Sequence, residues 1–70
     1  MSIPDVIEVG NVISTLRKEL ILEAKYVDHA LSGNWNGFRD CHIKPDLVLI
    51  YRAHETTLQL ARIGTDNDVF

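Results

Sequence analysis

The chain has 70 residues, enough for one domain that buries only about 60% of the surface its unfolded form exposes. Its single cysteine, Cys41, excludes an internal disulfide, so the extra stability that so small a domain needs is expected from self-association rather than from a metal. Ten acidic against seven basic side chains give a formal charge of -3, which argues against general attraction to nucleic acid and leaves room for a local anion site.

No apolar run approaches the roughly 20 residues that span a bilayer, and no signal peptide is evident. A lone thiol in such a chain points to a reducing, cytoplasmic setting without a membrane segment. The 46% apolar content suits a globular domain, and there is no internal repeat or low-complexity linker.

A helix is expected first. Ser2 can cap it, and Pro4 sits just inside the start, where its missing N–H costs nothing. Val6, Val9, Ile13, Leu16 and Leu20 recur at steps of three and four, with Val12 beside them, so one apolar stripe runs along about four turns. Asp5 and Glu8 near the start and Arg17 and Lys18 near the end suit the helix dipole. Gly10 weakens the helix by up to about 1 kcal/mol relative to Ala, which suggests close approach of another element at that point.

From Ile21 to Gly37 the periodicity stops, and Asp28, Ser32, Gly33, Asn34, Asn36 and Gly37 supply turn chemistry around Leu31 and Trp35. This reads as a structured loop with those two side chains turned inward. Phe38 to Ile43 then alternates as a strand, with Phe38, Asp40 and His42 on one face and Arg39, Cys41 and Ile43 on the other. Lys44-Pro45 reads as a turn. Leu47 to Arg52 is apolar and β-prone, as expected of a central strand covered on both faces. His54-Glu55 marks the next turn, and Leu58 to Ile63 alternates in a third strand that ends at Gly64. The expected architecture is α+β, a single domain over 1–70 with an N-terminal helix packed on a three-stranded antiparallel meander.

His42 and Asp46 flank the first turn, so the strand ends bring an imidazole and a carboxylate within reach, a pairing that orients the ring. His29 approaches the same strand end if the loop folds back. Two imidazoles and a carboxylate suit proton transfer in phosphodiester cleavage, one group taking a proton from the 2'-hydroxyl and another protonating the leaving oxygen. The plainer alternative is a pair that only stabilises a turn. A metal site built from His29, Cys41, His42 and His54 fails because Cys41 and His42 point to opposite strand faces and no metal-ligand spacing is present. No metal and no cofactor are expected. Cys41 lacks a base on its own face and reads as a small core residue. Trp35 and Phe38 suit base stacking or, more simply, anchoring of the loop. Arg39, Lys44, Arg52 and Arg62 sit at strand ends, positioned to meet phosphates or to form a solvated edge.

The ordered set Asp28-His29, Leu31, Gly33, Trp35, Gly37, Arg39-Asp40, His42, Pro45-Asp46, Leu49-Ile50-Tyr51, Leu58, Leu60, Arg62, Gly64-Thr65 and Phe70 closely resembles the YafQ-type branch of the RelE superfamily. These are toxins of bacterial type II toxin-antitoxin modules. The resemblance covers Lys25 to Phe70, and it implies a truncated RelE-like fold. It also implies an mRNA interferase that cuts messenger RNA on the ribosome and is held inactive by a cognate antitoxin. It assigns cleavage to positions matched by His29, His42 and Asp46, and seating of the RNA to Phe70; of the strand-end cations, Arg39, Lys44 and Arg62 are the candidate RNA contacts beside it.

Three departures accompany the resemblance. Where the family carries a histidine two residues after the Gly of its Gly-Thr tail, this chain has Asp66 as the candidate proton donor, and an exposed carboxylate of reference pKa about 3.9 is ionised at pH 7. Leu47 replaces an aromatic that follows the Pro-Asp pair. The family's opening strand and helix have no counterpart before Pro4, so an uncovered sheet edge and helix face are expected to drive formation of a homodimer or higher oligomer. Two readings therefore stand, an active mRNA interferase and a catalytically weak relative that only binds an antitoxin or itself.

Overall fold

The computed structural model describes residues 1–69, with the side chains of Asp66 and Asp68 left aside. Helix α1 spans Ile3–Arg17. The Ser2 side chain accepts from the Asp5 N–H at 3.2 Å, and Pro4 falls in the first turn as expected. At the other end Glu19 takes a left-handed φ of 59°. Its N–H reaches the Leu16 carbonyl at 3.0 Å while that of Leu20 reaches Thr15 at 3.2 Å, the paired bonds of a Schellman ending. The helix thus stops short of Leu20.

That stop corrects the expected stripe. Val12 is buried and Val9, Ile13 and Leu16 pack beside it, but Val6 and Leu20 remain 56% and 59% exposed. Leu20 has already left the helix, and Val6 lies on an exposed side of the first turn. Gly10 is also corrected, because a Cβ added there meets nothing within 4 Å, so no element approaches it.

After α1 come a 3-10 turn at Ala24–Tyr26, strand β1 (His29–Ala30), a second 3-10 turn at Gly33–Trp35, and strands β2 (Arg39–Lys44), β3 (Leu47–His54) and β4 (Thr57–Gly64). A short helix α2 (Asp66–Val69) closes the described chain. The strands form one antiparallel sheet in the order β1-β2-β3-β4. The α+β class with a helix on an antiparallel meander is as expected. The meander has four strands rather than three, because two residues of the loop fold back on β2, where His29 pairs Asp40 and Ala30 pairs Arg39.

The central strand is buried from Leu47 to Tyr51. Alternation divides it between two faces. Leu47, Leu49 and Tyr51 join Cys41, Ile43, Val12, Leu22 and Tyr26 in the core beneath α1. Val48 and Ile50 are equally buried but lie outside that cluster, on the opposite face, where α2 rests against β3 and β4 with Val69 buried. Each such aliphatic side chain contributes about 1.5–3 kcal/mol when fully removed from water. Asp40 and His42 share this second face, so the core face carries structure and the other carries chemistry. No described helix is long and apolar enough to cross a membrane.

Candidate active site

The loop that carries His29 is pinned by the residue before it. Asp28 Oδ1 accepts from Tyr51 Oη at 2.7 Å and from Arg39 Nε at 3.1 Å, tying the start of β1 to β2 and β3. The hydrogen bond to Asp28 holds the Arg39 guanidinium above its ordinary pKa, and burial together with the same carboxylate raises the Tyr51 phenol. His29 Nδ1 lies 2.8 Å from the Val27 carbonyl. A carbonyl only accepts, so Nδ1 carries a proton and Nε2 is the atom left to exchange one.

Pairing of β1 with β2 then sets His29 opposite Asp40, and alternation puts His42 on the same face two residues on. Asp40 Oδ2 lies 3.9 Å from His29 Nε2, and Oδ1 lies 3.5 Å from His42 Nε2. The two rings stack with centroids 6.4 Å apart. Asp40 is only 3% exposed, over a floor made by its register partner Ile50 and by Val48, the partner of His42. The result is two accessible imidazoles flanking one buried carboxylate, a set with the donor and acceptor groups that general acid–base chemistry uses.

The expected site residues are only partly assembled. His29 and His42 are brought together. Asp46 sits exposed in the β2–β3 turn, and among the described residues no ion pair joins it to His42, whose carboxylate partner is Asp40. Asp66 begins α2, but its side chain lies outside the described residues, as does Phe70 altogether. Of the cations, Arg39 is engaged by Asp28, and Lys44 Nζ meets Asp5 Oδ1 at 3.3 Å. Burial disfavours the Asp5 charge, yet the hydrogen bond and charge of Lys44 outweigh it, and its carboxyl stays below the usual range. Arg62 lies over the Trp35 ring at 5.4 Å, and Arg52 over Phe38 at 4.8 Å. Trp35 and Phe38 themselves meet edge to face at 5.4 Å. These half-buried aromatics are thus capped by arginines and are not sunk in the core as the loop reading suggested for Trp35.

Cys41 is fully buried, and burial pushes its thiol up to about 12, which removes it from nucleophilic chemistry. A cavity of about 590 Å³ opens beside His42, lined also by Lys25, Tyr26 and Lys44. Tyr26 donates to Glu8 on the cavity wall, which joins α1 to this edge of the site. Among the described residues no group of three His, Cys, Asp or Glu side chains is placed to hold a metal ion. The sequence names Asp40 and Asp28 among the family-matching positions but gives neither a role at the site. For Asp40 the signal was present in its shared strand face with His42, and for Asp28 it lay in direct adjacency to His29.

The chain matches the family described as "Bacterial toxin of type II toxin-antitoxin system, YafQ" over residues 3–70. It belongs to the YafQ toxin family. It is 42% identical over 55 residues to the mRNA interferase toxin YafQ of Escherichia coli K12, an alignment covering 79% of this chain and 60% of that relative. It thus spans about 60% of the length of the curated YafQ relatives it matches from Escherichia coli. Among solved structures, YafQ from E. coli BL21(DE3) superposes with a TM-score of 0.87 at 34% identity, covering 91% of this chain and 72% of that one. The E. coli DinJ-YafQ complex gives 0.84 at 36%, covering 94% and 74%. A metal-bound toxin from Helicobacter pylori gives 0.84 at 40%, covering 93% and 74%. The α+β fold of this YafQ family member is therefore that of the YafQ structures.

Proposed function

We propose that the chain is the toxin of a bacterial type II module, a RelE-superfamily endoribonuclease that cuts messenger RNA on the ribosome and is restrained by a cognate antitoxin in the cytoplasm. The observation that carries this reading is the convergence of His29 and His42 on Asp40, at the sheet face of a family whose E. coli member is an mRNA interferase. In this reaction one imidazole Nε2 accepts the 2'-hydroxyl proton, the 2'-oxygen attacks phosphorus, and the bond to the 5'-oxygen breaks as another group protonates it. In this reading Asp46 and Asp66 are the further candidates for proton transfer, and Phe70, Arg39, Lys44 and Arg62 seat the RNA. The antitoxin partner is supported by the E. coli DinJ-YafQ complex.

Induced expression tests the proposal. Arrest of growth that His42→Ala abolishes is the expected result, and normal growth of cells making soluble wild-type protein rejects it.

A second reading is favoured by a separate observation. Ile3, Val6 and Ile7 line an exposed apolar side of α1, and Ile21, past the other end of the helix, is 95% exposed. A catalytically weak form whose role is self-association or antitoxin capture would use that surface. Light scattering at micromolar concentration decides the self-association part, since a dimer or larger mass is expected and a monomeric mass excludes it.

A further inference from the structure

Asp40 stands behind the histidine pair rather than beside it. Its side chain is 4% exposed, against 48% for His29 and 27% for His42. Neither separation, 3.9 Å or 3.5 Å, is that of a well-formed hydrogen bond, yet each ring turns the same atom, Nε2, toward one oxygen of the same carboxylate. For His29 that is the atom left to exchange a proton, because Nδ1 is taken by the Val27 carbonyl. The carboxylate is held on several sides. It faces His29 across the β1–β2 ladder and Ile50 across the β2–β3 ladder, with His42 next along its own face. Val48 and Ile50, both fully buried, form its floor. A carboxylate held in such a place is stable only with polar or cationic partners, and both imidazoles face it.

We infer that Asp40 is a positioning residue that holds Nε2 of His29 and of His42 over a common point, so that the two rings act as one proton-exchanging pair. Its effect on turnover rests on the ribonuclease reading above. Its effect on the rings does not. The arrangement follows the general logic of a base oriented by a third group, here with one orienting group serving two bases. Asp40 itself is too deeply seated to touch RNA, so its removal is expected to lower kcat and leave KM nearly unchanged.

The experiment compares wild type with Asp40→Asn, which keeps the shape and removes the charge. Imidazole nitrogen NMR spectra of the free protein are expected to change for both His29 and His42 in the variant. His54, exposed at the far end of β3, is expected to stay as it was and serves as the internal control. In cleavage of ribosome-bound mRNA, kcat is expected to fall about 10- to 100-fold with KM within about twofold. Adding D40N to His42→Ala should cost less than D40N costs alone, because the two act through one group. Unchanged spectra for both rings overturn the inference whatever the cleavage result. So does full kcat in D40N when wild type cleaves. Altered spectra with an inactive wild type uphold the positioning role and reject the ribonuclease reading. Should D40N fail to fold, Asp40→Glu keeps the charge but displaces it by a methylene, and both ring spectra are again expected to move; if neither moves, the inference falls.

Discussion

Tyr51, on the central strand, donates its phenolic hydrogen at 2.7 Å to Asp28, which lies beyond the far edge of β2 immediately before β1. The bond crosses an intervening strand, and Arg39 on that strand reaches the same carboxylate oxygen. His29 therefore takes its place from a neighbour anchored to the middle of the sheet. Tyr51→Phe is expected to lose about 1.5–3 kcal/mol of stability, the value of a hydrogen bond to a charged acceptor. Urea unfolding of the two proteins measures this.

Gly10 stands mid-helix, and a methyl group placed on its Cα would have nothing within 4 Å. Gly10→Ala should then supply helix propensity without a clash and raise stability by about 1 kcal/mol. A higher urea midpoint with unchanged slope is the expected observation.

Leu49 is 2% exposed at the centre of the core beneath α1. Leu49→Ala is expected to cost about 2–5 kcal/mol, a large share of what a domain of this size possesses. Circular dichroism at 25 °C should show much of the variant unfolded.

Alkaline pH should weaken the fold. Burial pushes the Cys41 thiol up to about 12, and the hydrogen bond to Glu8 raises the Tyr26 phenol to about 12 as well. Burial and Asp28 raise Tyr51 in the same direction. Above the unfolded values of about 8.5 for Cys and 10 for Tyr, the unfolded chain has lost protons that the folded chain retains. Stability is therefore full below about pH 8.5 and falls as pH rises toward the folded values. Urea midpoints from pH 7 to 11 should decline, and Cys41→Ala should flatten the first part of that decline. In the same protein the thiol should resist Ellman's reagent until denaturant is added.

What could be read in the sequence follows from how local each signal is. The apolar period of α1, the β-prone run of β3 and the turn near Pro45 are written in consecutive residues; β3 and the turn emerge within a residue or two of expectation, while α1 ends three residues before Leu20. Strand β1 was not legible, because two residues carry no period and His29–Ala30 are a strand only through their pairing with Asp40 and Arg39. Helix α2 was missed for a similar reason, since Asp-Asn-Asp favours no helix and Val69 docks it from outside. The site shows the same division. Looking along the chain from His42 leads across the turn to Asp46, whereas the carboxylate that faces His42 is Asp40, and its second partner lies sideways across a ladder. Cross-strand register is set by packing, so His29 could be suspected from the sequence and Asp40 could not be seen between the rings.

Every pair of neighbouring strands in the sheet is also adjacent in sequence. Closing each of these pairs spans a short loop, for which the entropic cost is small and the search brief. The histidine cluster needs only the first of them, the β1–β2 pairing, with β3 then supplying its floor. The slow event in folding is accordingly expected to be the arrival of α1, whose Val12 joins Cys41 and Leu49 in the core from a distant part of the chain. Destabilising mutations in β4, whose pairing with β3 precedes that step, should therefore slow refolding in stopped-flow measurements more than they speed unfolding.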